Sequence, residues 1–425
     1  MAVACVLPAS ARAAGSTVPG EVVVAYKSTT PTTAAHAAGV AVPAPKVLHV
    51  RDVGAALRRL RARGDVRYAV RNAVAHAAGA FIPNDPGRTG IPSDWQKVQW
   101  NFTGPAGVNA PDAWGNLIAA GRPGGAGVKV AVLDTGVAYR QFGRTPASPD
   151  LAGTKFVAGY DFIHDDPFAN DRNGHGTHVT STIAEATNNG IALTGLAYGA
   201  SIMPVKVLDD HGEGDAVNIA KGVRFAARHG AKVINLSLEF SSDIGFRQIP
   251  QLLDAIQEAR GLGAVVVAAS GNESGTSVAY PARNGNVLSV GSTTEHGCLS
   301  EFSNQGPGLD LVAPGGGPDA PLPDPGCSTG TPGRNIAQLT LIGVHRTSFG
   351  IPSGYEGTSM AVPHVSATAA LVIASGVIGP DPTPDAVERR LETTARDLGP
   401  AGYDQRYGFG LIDAAAATNP AVPVG

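Results

Sequence analysis

Apolar positions along the chain follow two regimes. Over the first 80 or so residues they come in short stretches. Glu21 to Lys27 (EVVVAYK) predicts a strand, followed by an Ala/Thr/Pro-rich excursion. Val53, Leu57 and Leu60 share one side of a helix predicted over Val53 to Arg63, with arginines on its other sides. Val66, Tyr68 and Val70 recur at period two within Asp65 to Asn72, the pattern of a half-buried strand. Together these segments predict a small α+β unit over residues 20–78. Residues 73–110 are rich in Pro, Gly and Asn without a long periodic segment, and read as a linker leading into surface loops.

From Gly127 onward the pattern becomes one of compact apolar runs separated by helical stretches. The runs are Val128–Leu133, Ser201–Val207, Val233–Leu236, Ala264–Ala268 and Val287–Val290, each with the composition of a strand covered on both faces. Helices are predicted over His175–Ala186, Asp215–His229 and Ile249–Arg260, so the alternation gives an α/β fold with a mostly parallel central sheet flanked by helices. Residues 315–335 read as polar Gly/Pro-rich loop. Gly357–Ser375 is the most continuous helix and apolar enough to be largely buried, with Thr383–Thr393 as another.

Composition narrows the class. The 425 residues include 55 Gly and 32 Pro, with 43% hydrophobic and 16% charged residues, which suits a loop-rich globular protein with a sizeable core. A net charge of −3 provides no global positive field for nucleic acid or anionic lipid. Three cysteines exclude a disulfide-dense scaffold and a four-cysteine zinc site. Cys5 falls in the leader, leaving Cys298 and Cys327 either as one pair in an oxidising compartment or as two separate thiols. Residues 1–15 (MAVACVLPASARAAG) resemble the end of a secretory signal, without its basic first part, so export is expected. No later run of 18 uninterrupted apolar residues predicts a transmembrane helix.

Four segments carry polar residues where packing alone would not ask for them. VAVLDTGV (130–137) is a buried strand ending on Asp134, and NGHGTHV (173–179) sets His175 between two glycines at a helix start. GTSMAVPHV (357–365) puts Ser359 near the N-terminus of an apolar helix, and AASGNE (268–273) places Asn272 just after a strand. A serine is a weak nucleophile at neutral pH, so acyl transfer needs an imidazole to take its proton and a carboxylate to orient that imidazole. Ser359 as nucleophile, His175 as base and acid, and Asp134 as orienting carboxylate fill these parts. Asn272 can donate its side-chain amide to the oxyanion beside the Ser359 N–H. Each residue alone has an ordinary use as a cap or turn residue; the four together point to catalysis. The order Asp, His, Ser and the absence of G-x-S-x-G argue against an esterase of the α/β-hydrolase type. No HExxH spacing accompanies His175 and His178, so zinc is not expected.

With DTG at 134–136, NGHGTHV at 173–179, SGN at 270–272, GTSMAVPHV at 357–365 and the closing YGFGLIDA at 407–414, the chain resembles the subtilisin-like serine proteases. The resemblance covers roughly residues 80–417, the peptidase domain. It implies a three-layer fold and a secreted, monomeric endopeptidase that acts on polypeptides without an organic cofactor. It also recasts residues 20–78 as a propeptide that inhibits and helps fold the enzyme, with self-processing expected in the 70–82 region. Substrate is expected to lie as an added strand along Ser237, Leu238 and Glu239, with Ala268, Ala269, Ser270 and Gly271 as another wall. His178 and His364 are expected to be structural.

Structural calcium is the one metal the resemblance suggests. Asp161, Asp165, Asp166, Asp171 and Asn173 crowd the segment before the histidine motif, where hard oxygen ligands would suit calcium. A second candidate is NNGIAL (188–193), where relatives hold calcium through an Asn side chain such as Asn188 and backbone carbonyls; Asp85 and Asp150 are available to complete such sites. Two departures from the family pattern stand out. Glu239 occupies a place usually held by glycine beside the substrate edge, and Ala367 replaces another glycine in the serine helix.

Overall fold

A computed structural model describes residues 17–27, 45–73, 80–322, 324 and 326–423. The proposed leader at 1–15 and residues 74–79 of the expected processing segment lie outside these residues. The chain divides into two compact units, Met1–Ala78 and Gly79–Gly425.

In the smaller unit, β1 (Thr17–Tyr26) pairs antiparallel with both β2 (Lys46–His49) and β3 (Val66–Ala73), and the helix Val53–Arg61 packs on the sheet. Leu57 and Leu60 of that helix meet Val22, Val24 and Val66, as the spacing predicts. The helix begins at Asp52, whose carboxylate accepts the Ala55 N–H at 2.9 Å and so satisfies one of the free donors of the first turn. The sequence reading missed β2: its four residues carry too few apolar positions to show a period.

The larger unit is built on an eight-stranded sheet with parallel pairings throughout. Its strands are β4 (Lys129–Asp134), β5 (Lys155–Phe156), β6 (Tyr160–Asp161), β7 (Ser201–Lys206), β8 (Val233–Leu236), β9 (Val265–Ala269), β10 (Leu288–Thr293) and β11 (Leu311–Pro314). They run in the order β11-β10-β9-β8-β4-β7-β5, with β6 also on β7. A separate antiparallel pair joins β12 (Thr340–Ile342) to β13 (Ser348–Gly350). Side chains alternate between two cores: Val130 and Val132 enter one, Ala131 and Leu133 the other. The first core also receives the helices Ala110–Ala119, His175–Ala184 and Thr358–Ser375; the second receives Ala216–Arg228 and Pro250–Gly261. The α/β sheet with helices on both sides is therefore as the alternation predicts.

Two readings need correction. Residues 73–110 are not a linker to surface loops throughout, because Trp95, Trp100 and Phe102 are buried in the first core. Trp95 stacks edge-on against Trp114 at 5.5 Å and donates its indole N–H to the Pro83 carbonyl at 3.1 Å, which ties irregular backbone to the helix Ala110–Ala119. Aromatic side chains bury large areas without needing periodic secondary structure, so hydrophobic period could not reveal them. The edge strand β11 (LVAP) lies outside the predicted runs, its short apolar stretch ending on Pro314. Thr358–Ser375 is the one described helix long and apolar enough to cross a membrane, yet it runs through the first core with Pro363 inside it. Ala367 is fully buried there, a methyl group within the packing of the helix. Cys298 and Cys327 form a disulfide with Cα atoms 5.7 Å apart.

Candidate active site

The C-terminal ends of the parallel strands bring the polar motifs together, as expected for an open α/β sheet. β4 ends on Asp134, fully buried, and the next residues turn back over it. The Asp134 carboxylate accepts the Thr135 N–H at 2.7 Å, and the same oxygen lies 2.7 Å from His175 Nδ1. His175 opens the helix His175–Ala184 and keeps 26% of its side chain exposed, so the imidazole is anchored on one side and open on the other. Burial lowers the proton affinity of this imidazole, and the Asp134 charge and hydrogen bond, helped by Asp171, outweigh it and raise the pKa above the ordinary histidine value.

Gly176 is required for this approach. A Cβ there would lie 2.2 Å from the Gly136 carbonyl oxygen and 3.1 Å from the Asp134 side chain, so only glycine lets the helix start seat against the strand end. Asp171 fixes the same turn. Its oxygens accept the N–H groups of Asn173, Gly174 and Thr177 and the hydroxyls of Thr135 and Thr177, at 2.6–3.1 Å. From below, the buried Lys206 ammonium donates to the Thr135 carbonyl at 2.7 Å and pairs with Asp210 at 3.0 Å.

Ser359 sits in the first turn of the helix Thr358–Ser375, where backbone N–H groups have no carbonyl four residues back. Its carbonyl accepts the Ser237 hydroxyl at 2.9 Å, and Asn235 donates to that hydroxyl at 2.9 Å, tying β8 to the serine turn. Asn272 is oriented by its oxygen, which accepts the Thr358 N–H at 2.8 Å and the Thr358 hydroxyl at 3.1 Å, leaving the amide N–H groups to face elsewhere. One of them reaches Glu239 Oε1 at 3.1 Å. His175, Ser359, Ser237, Leu238 and Glu239 all line one cleft of about 730 Å³.

The opposite wall differs from expectation. Ala268 and Ala269 are fully buried on opposite sides of the sheet, and the Ser270 hydroxyl donates to the Asn304 carbonyl at 3.0 Å. These three side chains support the strand end, and the segment meets the Glu239 side at Gly271, Asn272 and Glu273. Sequence reasoning missed the loop His211–Gly214, which lines the cleft beyond Leu208. Its signal was present as a polar, glycine-bearing run (DDHGEGD) directly after the β7 segment.

His178 and His364 serve packing. His178 Nε2 lies 3.1 Å from the Ile336 carbonyl, its ring stacks on Tyr355 at 4.2 Å, and burial pushes its pKa down to about 3. His364 bridges the Met360 carbonyl and Asn101, and burial lowers its pKa to about 4.

The acidic segment before the histidine motif does not converge on a cation. Asp161 accepts the N–H groups of Ile163 and His164 and pairs with the His164 ring, Asp165 takes the Tyr160 hydroxyl, and Asp166 caps Phe168. Asp171 is fully engaged in the turn just described, and the Asn173 side chain bridges the His175 N–H and the Asp210 carbonyl. Among the described residues, no three His, Cys, Asp or Glu side chains group to hold a metal.

A second group of acids, which likewise forms no such three-side-chain group, is more deeply buried. Asp85 and Asp150, both fully buried, flank the loop Asn188–Leu193. Asp85 accepts the N–H groups of Asn188, Asn189 and Gly190, while Asp150 accepts the Asn189 side-chain amide at 2.7 Å and the Leu193 N–H at 3.1 Å. The Asn side chain at this cluster is Asn189; that of Asn188 turns to the Asn84 N–H. Glu185 lies nearby, buried, with neither carboxylate oxygen hydrogen-bonded. Burial raises the pKa of Asp150 to about 7 and holds that of Glu185 well above the carboxylate range, with the neighbouring acids adding to both. Burial likewise raises Asp85. Crowded, buried oxygens of this kind suit a divalent cation such as calcium.

The comparisons with known proteins agree with the geometry. Residues 125–410 match the model of the peptidase S8 subtilase family. Subtilisin Savinase of Lederbergia lenta is 37% identical over 323 residues, 76% of this chain and 99% of the relative. Thermitase of Thermoactinomyces vulgaris is 38% identical over 296 residues, 70% of this chain and 87% of the relative. A solved protease structure from Pseudoalteromonas arctica superposes with a TM-score of 0.62 at 31% identity, covering 80% of this chain and 99% of that one. With a parallel sheet that delivers an Asp–His pair and a helix-start serine to one cleft, the chain belongs to the subtilase family and is a serine endopeptidase.

Proposed function

We propose that this endopeptidase is exported as a precursor, removes its own N-terminal unit by cutting within residues 70–82, and then cleaves extended polypeptides through an acyl-enzyme. The observation that carries this reading is the Asp134–His175 hydrogen bond in the cleft that also holds Ser359. With Asp134 on Nδ1, the other imidazole nitrogen is the one available to take the Ser359 proton as Oγ attacks the peptide carbonyl. The negative charge that forms on the carbonyl oxygen is met by the Ser359 N–H and the Asn272 amide. The imidazolium then returns its proton to the leaving amine, and water, activated by the same imidazole, hydrolyses the acyl-enzyme.

The peptide lies as an added strand beside Ser237–Glu239. The N-terminal unit acts as propeptide, an intramolecular inhibitor and folding aid; its self-contained α+β core supports that role. Calcium at Asp85, Asp150 and Asn189 would tie the Asn188–Leu193 loop to the body of the enzyme; it takes no part in the chemistry. Export is supported by the signal-like leader and by the disulfide, which suits an oxidising compartment.

The test is maturation. Wild-type chain recovered from the culture medium should begin, by intact mass and N-terminal sequencing, within residues 70–82, while purified Ser359→Ala precursor should remain full length. A Ser359→Ala chain that matures without another protease overturns self-processing.

A further inference from the structure

Glu239 reaches across the cleft. Its backbone belongs to the edge that follows β8, yet its carboxylate meets the opposite wall: Oε1 accepts the Asn272 amide at 3.1 Å, and a Cβ placed on Gly271 would lie 2.9 Å from Oε2. Gly271, at φ 113°, leaves the room the carboxylate occupies. Oε2 is buried and has no hydrogen-bond partner. Burial, with the charge of another acid, Glu273, adding to it, outweighs the Asn272 hydrogen bond and raises the Glu239 pKa, while Glu273 itself accepts the Ser242 N–H and the Asn304 amide. Among the described residues no lysine or arginine forms an ion pair with Glu239 or Glu273.

We infer that Glu239 selects substrates with a lysine or arginine on the N-terminal side of the scissile bond, the P1 residue, and couples that choice to the oxyanion site. The inference rests on the endopeptidase mechanism above. The oxyanion derives from the P1 carbonyl and lies roughly 3 Å from the Asn272 amide nitrogen. Through that amide, the Glu239 carboxylate comes within about 6 Å of the charge that forms, close enough for the P1 side chain to reach it. A cationic P1 side chain supplies the missing partner of Oε2 and offsets the negative charge beside the oxyanion. An apolar P1 side chain leaves the carboxylate unpaired and its repulsion of the oxyanion in place. The selection therefore appears in kcat as well as in KM.

Matched peptides differing only in P1 (Lys, Arg, Leu, Glu) test this with self-processed wild type, Glu239→Gln and Glu239→Gly. Fluorophosphonate labelling of Ser359 is measured in parallel. The wild type should favour Lys and Arg over Leu, and both variants should lower the Lys-over-Leu ratio of kcat/KM by roughly 10- to 100-fold, the range for a hydrogen bond to a charged group. Part of that change should fall in kcat. An unchanged ratio in both variants, with Ser359 labelling intact, overturns the role of Glu239 and leaves the protease reading standing. A wild type that takes no label overturns the protease reading and this inference with it.

Discussion

Two groups of buried carboxylates in the larger unit differ in what lies beside them, an imidazole in one and further acids in the other. Asp134 and Asp171 flank His175, and the protein itself supplies their partners: an imidazole and a main-chain N–H for the first, three N–H groups and two hydroxyls for the second. Asp85, Asp150 and Glu185 form the second group, where main-chain amides serve the first two, Glu185 has no partner, and the charges raising the proton affinity of Asp150 and Glu185 are those of neighbouring acids. In the first group the protein's own donors reach every oxygen except Asp134 Oδ2, and Asp134 Oδ1 holds the His175 imidazole. The charged neighbours of the second are themselves acids, which the proposed calcium would offset. Acid density along the chain does not separate them, since the densest run, Asp161–Asp171, is occupied by its own turns.

The largest effect should come from the group beside His175. Asp134→Asn keeps the shape but presents an N–H to Nδ1, which favours the tautomer that cannot take the serine proton; kcat should fall about 10⁴-fold. Burial, which lowers the His175 pKa, remains in this variant, while the Asp134 charge and hydrogen bond that raise it are lost and only the smaller help of Asp171 is left. The acid limb of the residual kcat/KM profile should therefore move to lower pH, and a limb that stays in place would break the assignment of Asp134.

Asp171→Ala should cost about 3–4 kcal/mol in denaturant unfolding, because it leaves several buried donors without an acceptor. A cost below about 1 kcal/mol would mean that the histidine turn holds itself.

Chelation probes the other group. Calcium at a hundredfold over its Kd should stabilise the folded enzyme by about 3 kcal/mol, and a chelator should remove that gain and shorten the half-life of thermal inactivation. Asp150→Asn should abolish the difference between calcium and chelator. Equal half-lives for wild type in both conditions would remove calcium from the proposal.

The smallest effect is expected at Asp165. Its side chain meets the Tyr160 hydroxyl at the surface, so Asp165→Asn should change stability by no more than about 0.5 kcal/mol and leave the calcium response intact. A lost calcium response would return the cation site to the acidic segment.

The sequence by itself determined the elements and the chemical parts. Buried strands, the serine helix and the four polar motifs are local patterns, and local backbone geometry places Asp134 at a strand end and Ser359 at a helix start whatever surrounds them. Tertiary structure decided which of the other polar groups remain free. Asp85 meets its loop across 103 to 105 residues, Glu239 meets Asn272 across 33, and Trp95 finds Trp114 from a four-residue helix too short to show a period. The reason is that a carboxylate is characterised by its remaining lone pairs and its burial, and both are set by groups distant in the chain. The resemblance therefore suggested Asn188 where the fold turns the Asn189 side chain to Asp150, and the sequence could not say whether the Glu239 carboxylate faces water or Asn272.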